Sequence, residues 1–271
     1  MKKYITILGC FLAISSNAQT TIADDTTKIT LGGKEIIIQN NDDEIDEIDD
    51  DSDDEKNVKV SLGNAGAKWS GLYFGANGFL TPNNSMQLNT EDNFMDIDMA
   101  KSLNMSWNFA SLDIQLGTPH LHLVSGMGFE FNRYGLKRNV RLGYNADSLW
   151  GTNDTVNTFD KNFLKATYFH IPLLFQVNTS KHDGKGVHFQ VGAIAGVRAG
   201  GKQKVKYILN GDKHKENIKG RYNINPFKVS ATARIGYDNL TLYANYGLTS
   251  LFEKDRGPEV NPFAVGLAFT F

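Results

Sequence analysis

The chain has 271 residues, a formal net charge of −2 and one cysteine, Cys10. Cys10 lies inside a segment that reads as a cleaved leader, which excludes disulfide and thiol chemistry from the mature chain. The near-neutral total conceals a division: 14 acidic and 5 basic residues through Asn57, then 16 acidic and 23 basic from Val58, a net of +7. That basic excess is not gathered in a recognisable nucleic-acid module, so no nucleic-acid partner is expected.

In chain order, residues 1–18 read as a signal peptide. Lys2 and Lys3 form the basic region, Tyr4 to Ile14 the apolar stretch, and Ser16-Asn17-Ala18 the small-residue cleavage site. The apolar stretch is too short to span a bilayer as a helix, which needs about 20 residues. Leu8-Gly9-Cys10 weakly matches a lipoprotein cleavage box, but the apolar run continues beyond it through Phe11, Leu12 and Ile14.

Residues 19–60 form an acidic arm. KITLGGKEIIIQ, Lys28 to Gln39, suggests two short strands around Gly32-Gly33. Eleven of the fourteen residues from Asp42 to Glu55 are Asp or Glu. Such a block repels itself and buries little, so the arm is expected to be mostly disordered. It lacks the central glycine of a calcium loop. The arm reads as a solvated spacer, with binding of a cation or of a basic periplasmic partner as the functional alternative.

Residues 61–271 read as β throughout, with eight candidate strands near 69–81, 103–117, 121–136, 163–179, 187–201, 224–237, 240–252 and 260–271. Their connections alternate. Short links fall at Gly117–His120, Lys181–Gly186 and Asp238-Asn239, and longer ones at 81–102, 137–162, 202–223 and 253–259. Short turns at one end and long loops at the other are the habit of outer-membrane barrels. The faces agree. Val187, Phe189, Val191, Ala193, Ala195 and Val197 share one parity, opposite His188, Gln190, Gly192, Gly196 and Arg198. In the second strand the apolar parity changes between Phe109 and Leu112, which calls for a β-bulge near Ala110-Ser111.

The last eleven residues, NPFAVGLAFTF, put Phe263, Val265, Leu267, Phe269 and Phe271 on one face and small residues on the other. NPFKVSATARIGY, from Asn225, begins alike and also enters a strand from a long-loop end. The terminal pattern resembles the assembly signal of bacterial outer-membrane barrels, with Gly266, Phe269 and Phe271 at its positions and Ala264 at the usually polar one. Taken together, the chain resembles the small eight-stranded outer-membrane barrels of the OmpA/OmpX-like class. With its loops and arm it is similar to the PorT-type barrels of the Gram-negative cell envelope. The resemblance implies an all-β fold: an eight-stranded antiparallel transmembrane barrel in the outer membrane, both termini periplasmic. Its implied partners are outer-membrane lipid and the barrel-assembly machinery.

No G-x-S-x-G elbow, H-E-x-x-H pair or phosphate loop is present. His120 and His122 could share a face as metal ligands, but beside a turn they read as interfacial residues. No catalytic, cofactor or metal site is therefore assigned. The expected role is non-enzymatic, an envelope anchor or secretion accessory, against a small-solute channel or lipid-modifying barrel. Eight strands leave an interior just wide enough for side chains. The inward parity supplies Asp113, Glu130, His170, Arg198, Lys228 and Arg234, with Tyr73 and Tyr243. Buried charges need partners, so Glu130 and Asp113 are expected to pair with Arg198 or Arg234.

Overall fold

The computed structural model describes residues 68–179, 186–209 and 212–271, together with the backbone of four strands nearer the N-terminus. Those four are β1 (Ala18–Ala23), β2 (Thr26–Leu31), β3 (Lys34–Asn40) and β4 (Val58–Leu62). β2 and β3 pair antiparallel across the hairpin expected at KITLGGKEIIIQ. β1 adds to β2, and β4 runs parallel to β3, so strand pairing extends beyond that one hairpin. The acidic run Asp42–Glu55 and the signal segment through Asn17 lie outside the described residues.

Eleven strands follow: β5 (Gly71–Leu80), β6 (Leu103–Gln115), β7 (Leu121–Gly135), β8 (Val140–Tyr144), β9 (Leu149–Asn153), β10 (Phe159–Asn178), β11 (Val187–Leu209), β12 (Asp212–Lys219), β13 (Phe227–Tyr237), β14 (Leu240–Gly247) and β15 (Asn261–Thr270). Eight of them close a ring in the order β5, β6, β7, β10, β11, β13, β14, β15, every neighbour antiparallel. β15 returns to β5 from Asn261 opposite Leu80 to Thr270 opposite Gly71. Closure removes the open edges that a sheet would otherwise expose. β4 meets β6 at Leu112–Ile114, so the arm joins the ring at its short-turn end.

Alternation along each ring strand turns large apolar side chains outward. Leu173, Phe175 and Val191 remain more than half exposed, and Trp107, Leu242 and Phe269 nearly or slightly more than half. An apolar belt of this kind would be a liability in water. The bulge in β6 falls between Asn108 and Ala110, one residue before the expected place, and has the expected effect. Trp107 and Phe109 point outward before it, while Ser111 and Asp113 point inward after it.

The long links differ from expectation. Two of them, 137–162 and 202–223, are built rather than loose. β10 and β11 run well past the ring, β12 folds back on β11, and β8 and β9 form their own hairpin. The strand expected at 240–252 ends at Gly247, and the chain from 248 to 260 joins this head instead. Polar-looking loop segments carried buried anchors that alternation alone does not reveal: Leu142, Leu149, Tyr222, Ile224, Leu251 and Phe252 are all buried in one cluster.

Candidate functional site: a lumen filled from rim to rim

The ring's inward parity builds three layers. At the long-loop rim, Tyr134, Leu164, Ala166 and Tyr168 of the strands pack with Met95, Phe252 and their neighbours in the head cluster. This apolar lid covers the upper mouth.

Beneath it lies a charged layer. Lys228 Nζ donates to both Glu130 oxygens at 2.7 Å. Asn104 Nδ2 donates to Glu130 Oε1 at 2.9 Å, and to Asn132 Oδ1 at the same distance. Tyr243 donates from its hydroxyl to Asn104 Oδ1 at 2.8 Å. His170 Nε2 lies 2.8 Å from Asn108 Oδ1, and its Nδ1 lies 4.0 Å from Glu130 Oε2.

The pairings expected from parity are overturned. Glu130 takes Lys228, not an arginine. Asp113 takes His122 Nδ1, at 2.8 Å, near the short turns. Arg234 sits against the rings of Trp69 and Tyr73, its carbon 4.5 and 5.1 Å from their centroids, and donates to Tyr73 Oη and Thr232 Oγ1. Arg198 donates to the carbonyl of Ile224 in the head. Parity assigned these residues to the inside correctly but carried no height. The register shift beside Arg198 turns that residue toward the rim, and Lys228 is the cation whose stem reaches both oxygens of Glu130. Arg234 is satisfied instead by aromatic faces, which attract cations strongly where water is excluded.

The lowest layer contains a residue the sequence reading placed in a strand. Lys68–Ser70 precede β5 and cross the short-turn mouth. Lys68 N–H donates to Gln176 Oε1, and Gln190 Nε2 donates to Lys68 O, which ties this segment to β10 and β11. Trp69, fully buried, is thereby held in the lumen with Val124, Leu174 and Ile194. Gly126 makes the space: a Cβ there would approach the Trp69 ring to 2.5 Å. A Trp beside Ser70-Gly71, with Gly126 and Gly128 close together on another strand, was the available signal. Among the described residues, a cavity of about 10 Å³ between Trp69, Glu130, His170 and Lys228 has room for about one water. His188 bonds Thr241, and His120 bonds the carbonyl of Asn178. Among the described residues no group of three potential ligands gathers as a metal site.

The C-terminal signal residues divide. Phe269 and Phe271 stand exposed on the outer surface. Gly266 faces inward opposite Gly75 and Tyr243, and a Cβ on it would meet Phe74 O at 2.2 Å. Its requirement is packing.

A closed eight-stranded ring with an apolar exterior and a polar, charged interior has reversed the usual order of a soluble sheet. A family model for the outer membrane protein beta-barrel domain matches residues 66–253. The chain belongs to that family. It is an outer-membrane β-barrel protein, and its apolar belt is its lipid-facing wall. A comparison with curated proteins returned no match.

Proposed function

We propose that this outer-membrane barrel is a non-enzymatic, non-conducting anchor. In this reading it holds a folded head outside the cell and an arm in the periplasm, serving an envelope or secretion assembly. The observation that carries the reading is the filling of the lumen. An apolar lid, the Glu130–Lys228 layer and the Trp69 segment succeed one another with space for about one water between them. The short turns and both termini belong in the periplasm in this scheme, as in related barrels. The arm then offers its acidic run to a basic periplasmic partner, and Phe269 and Phe271 are presented to the assembly machinery.

Planar-bilayer recording of the full chain tests the conducting state: no steady open level is expected. A stable, ion-selective conductance would overturn the reading. Topology is tested separately by trypsin on intact cells. Cleavage at Lys213 or Lys215, both exposed on β12, is expected, and cleavage confined to Lys181–Lys185 would reverse the orientation.

A further inference from the structure

The outer surface of the wall does not stay apolar. One outward step above the row formed by Phe131, Thr167 and Gly200, about 7 Å along the strands, the next row reads Arg133, Lys165, Lys202 and Lys219. These four residues are direct register partners across β7, β10, β11 and β12. Higher on the same face a second row reads Lys161, Lys206 and Lys215, and Lys204 stands between the two.

Like charges directly opposite one another destabilise a sheet, and here they stack across three consecutive strand pairs. The strands supply no compensating acid on this face. Glu216 and Asp212 pair with Val205 and Leu209, on the opposite face, and Asp160 occupies the register shift between β10 and β11. Glu216 is already engaged by Arg141. Burial, and after it the neighbouring cations, lower Lys165 and Lys204 from the ordinary lysine value. Arg133 covers Phe163, its carbon 4.7 Å from the ring centroid; Phe163 is the direct partner of Lys204, so this ring lies between the two cationic rows. β4, the strand by which the arm meets the ring, attaches at the opposite rim.

We propose that this face binds the phosphate groups of phosphorylated glycolipid headgroups in the outer leaflet. The position decides the occupant. A cationic sheet that begins where the lipid-facing belt ends lies at headgroup height. Anionic headgroups attract basic side chains near a membrane surface. The proposal rests on the topology given above, with the long-loop end outside.

The test uses the full chain, folded in neutral detergent, and diphosphoryl lipid A as probe. A dephosphorylated form of the same lipid is the control, with retained lipid counted by native mass spectrometry. Wild type is expected to retain the diphosphoryl form, and less of it as salt rises. The variant Lys165→Gln/Lys202→Gln/Lys204→Gln/Lys206→Gln, checked for the heat-modifiable folded band, is expected to bind it at least 10-fold more weakly. The dephosphorylated lipid should not distinguish the two proteins. Equal retention of the diphosphoryl lipid by both would overturn the headgroup site. So would its complete displacement by millimolar inorganic phosphate, which would mark a free-anion site. Should the variant instead be unable to hold the folded band, the single substitution Lys204→Gln in the same assay carries the comparison, with a smaller loss expected. Trypsin on intact cells separates the two readings. Cleavage confined to Lys181–Lys185 would overturn the topology, and with it the leaflet, whatever the lipid assay gives.

Discussion

Along β10, Leu173 stands outward and more than half exposed, while Leu164, nine residues earlier in the same strand, is completely buried. The two leucines belong to regions built for different solvents. In the ring, apolar groups face out to lipid, and the inside is held by Glu130, Lys228, Asn104 and Arg234. In the head the order reverses: Leu164 and Ala166 face a dry core, and Lys165 and Lys202 face out. β10 and β11 each pass through both regions as one strand, with a register shift between them beside Arg198. Continuity of backbone therefore does not require continuity of pattern. What a strand shows on its surface follows the medium at that height.

The largest effect is expected from the ring's interior. Glu130→Gln leaves Lys228 charged in a nearly dry layer, and breaking such a pair by removing one partner costs about 3–5 kcal/mol. Adding Lys228→Met should recover much of that loss, since the stranded charge is gone. Unfolding followed by the heat-modifiable band would measure both, and a double variant no better than the single one would show that the ion pair is not the source.

Next come the two leucines. Leu164→Ala should cost about 2–5 kcal/mol, because the head cannot fill the cavity it leaves. Leu173→Ala should cost about 1–2 kcal/mol, the transfer part alone, since lipid refills the lost volume. Equal losses in bilayers would mean that the two regions do not meet different solvents.

A smaller effect should follow acidification, and only in the head. Arg141 joins Asp154 at 2.8 Å and Glu216 at 2.6 Å, bringing the β8–β9 hairpin to β12. The Asn157 N–H and then the Arg141 guanidinium hold the Asp154 carboxyl down at about 2. Arg141, followed by the Tyr207 hydroxyl, lowers Glu216. A carboxyl whose pKa is depressed on folding contributes stability that is full above the unfolded value, about 4, and lost as pH falls through the folded one. Proteolysis of the head should thus accelerate between about pH 4 and pH 2, while the ring's folded band persists. Arg141→Met should remove most of that acid dependence.

The smallest effect on stability is expected at Phe271, which is exposed at the end of the chain. Phe271→Ala should change unfolding in detergent by no more than about 0.5 kcal/mol. Its yield in cells should fall further than that difference explains if the assembly machinery reads the residue. Matching yields in both settings would count against such a signal.

The ring was legible because lipid on one side and a narrow lumen on the other enforce a period of two. That period gave the eight strands, the bulge beside Phe109 and the inward set containing Glu130 and Lys228. The head was not legible. Its core is assembled from single anchors such as Met95, Tyr222 and Phe252, far apart in sequence and without a shared period. The ion pairs were missed for a third reason. Parity says which side a charge faces, while tilt and register decide which charges meet, so Glu130 went to Lys228 and Asp113 to His122. Trp69 was misplaced because a segment crossing a mouth has the composition of a strand but belongs to none.

The seam between β5 and β15 joins residues separated by about 200 positions, and beside it the Phe271 N–H reaches the Ser70 carbonyl, one residue from Trp69. This closure has the longest span in the ring and needs the last strand of the chain. Its loop entropy is recovered last. Trp69 stands next to the final joint, so an unsealed barrel with two free edges is also an unplugged one. A chain stopped before Asn261 would leave its mouth open and its edge strands ready to pair with a neighbour. Completion of the last strand is the event that both closes the ring and seats Trp69 beside its seam.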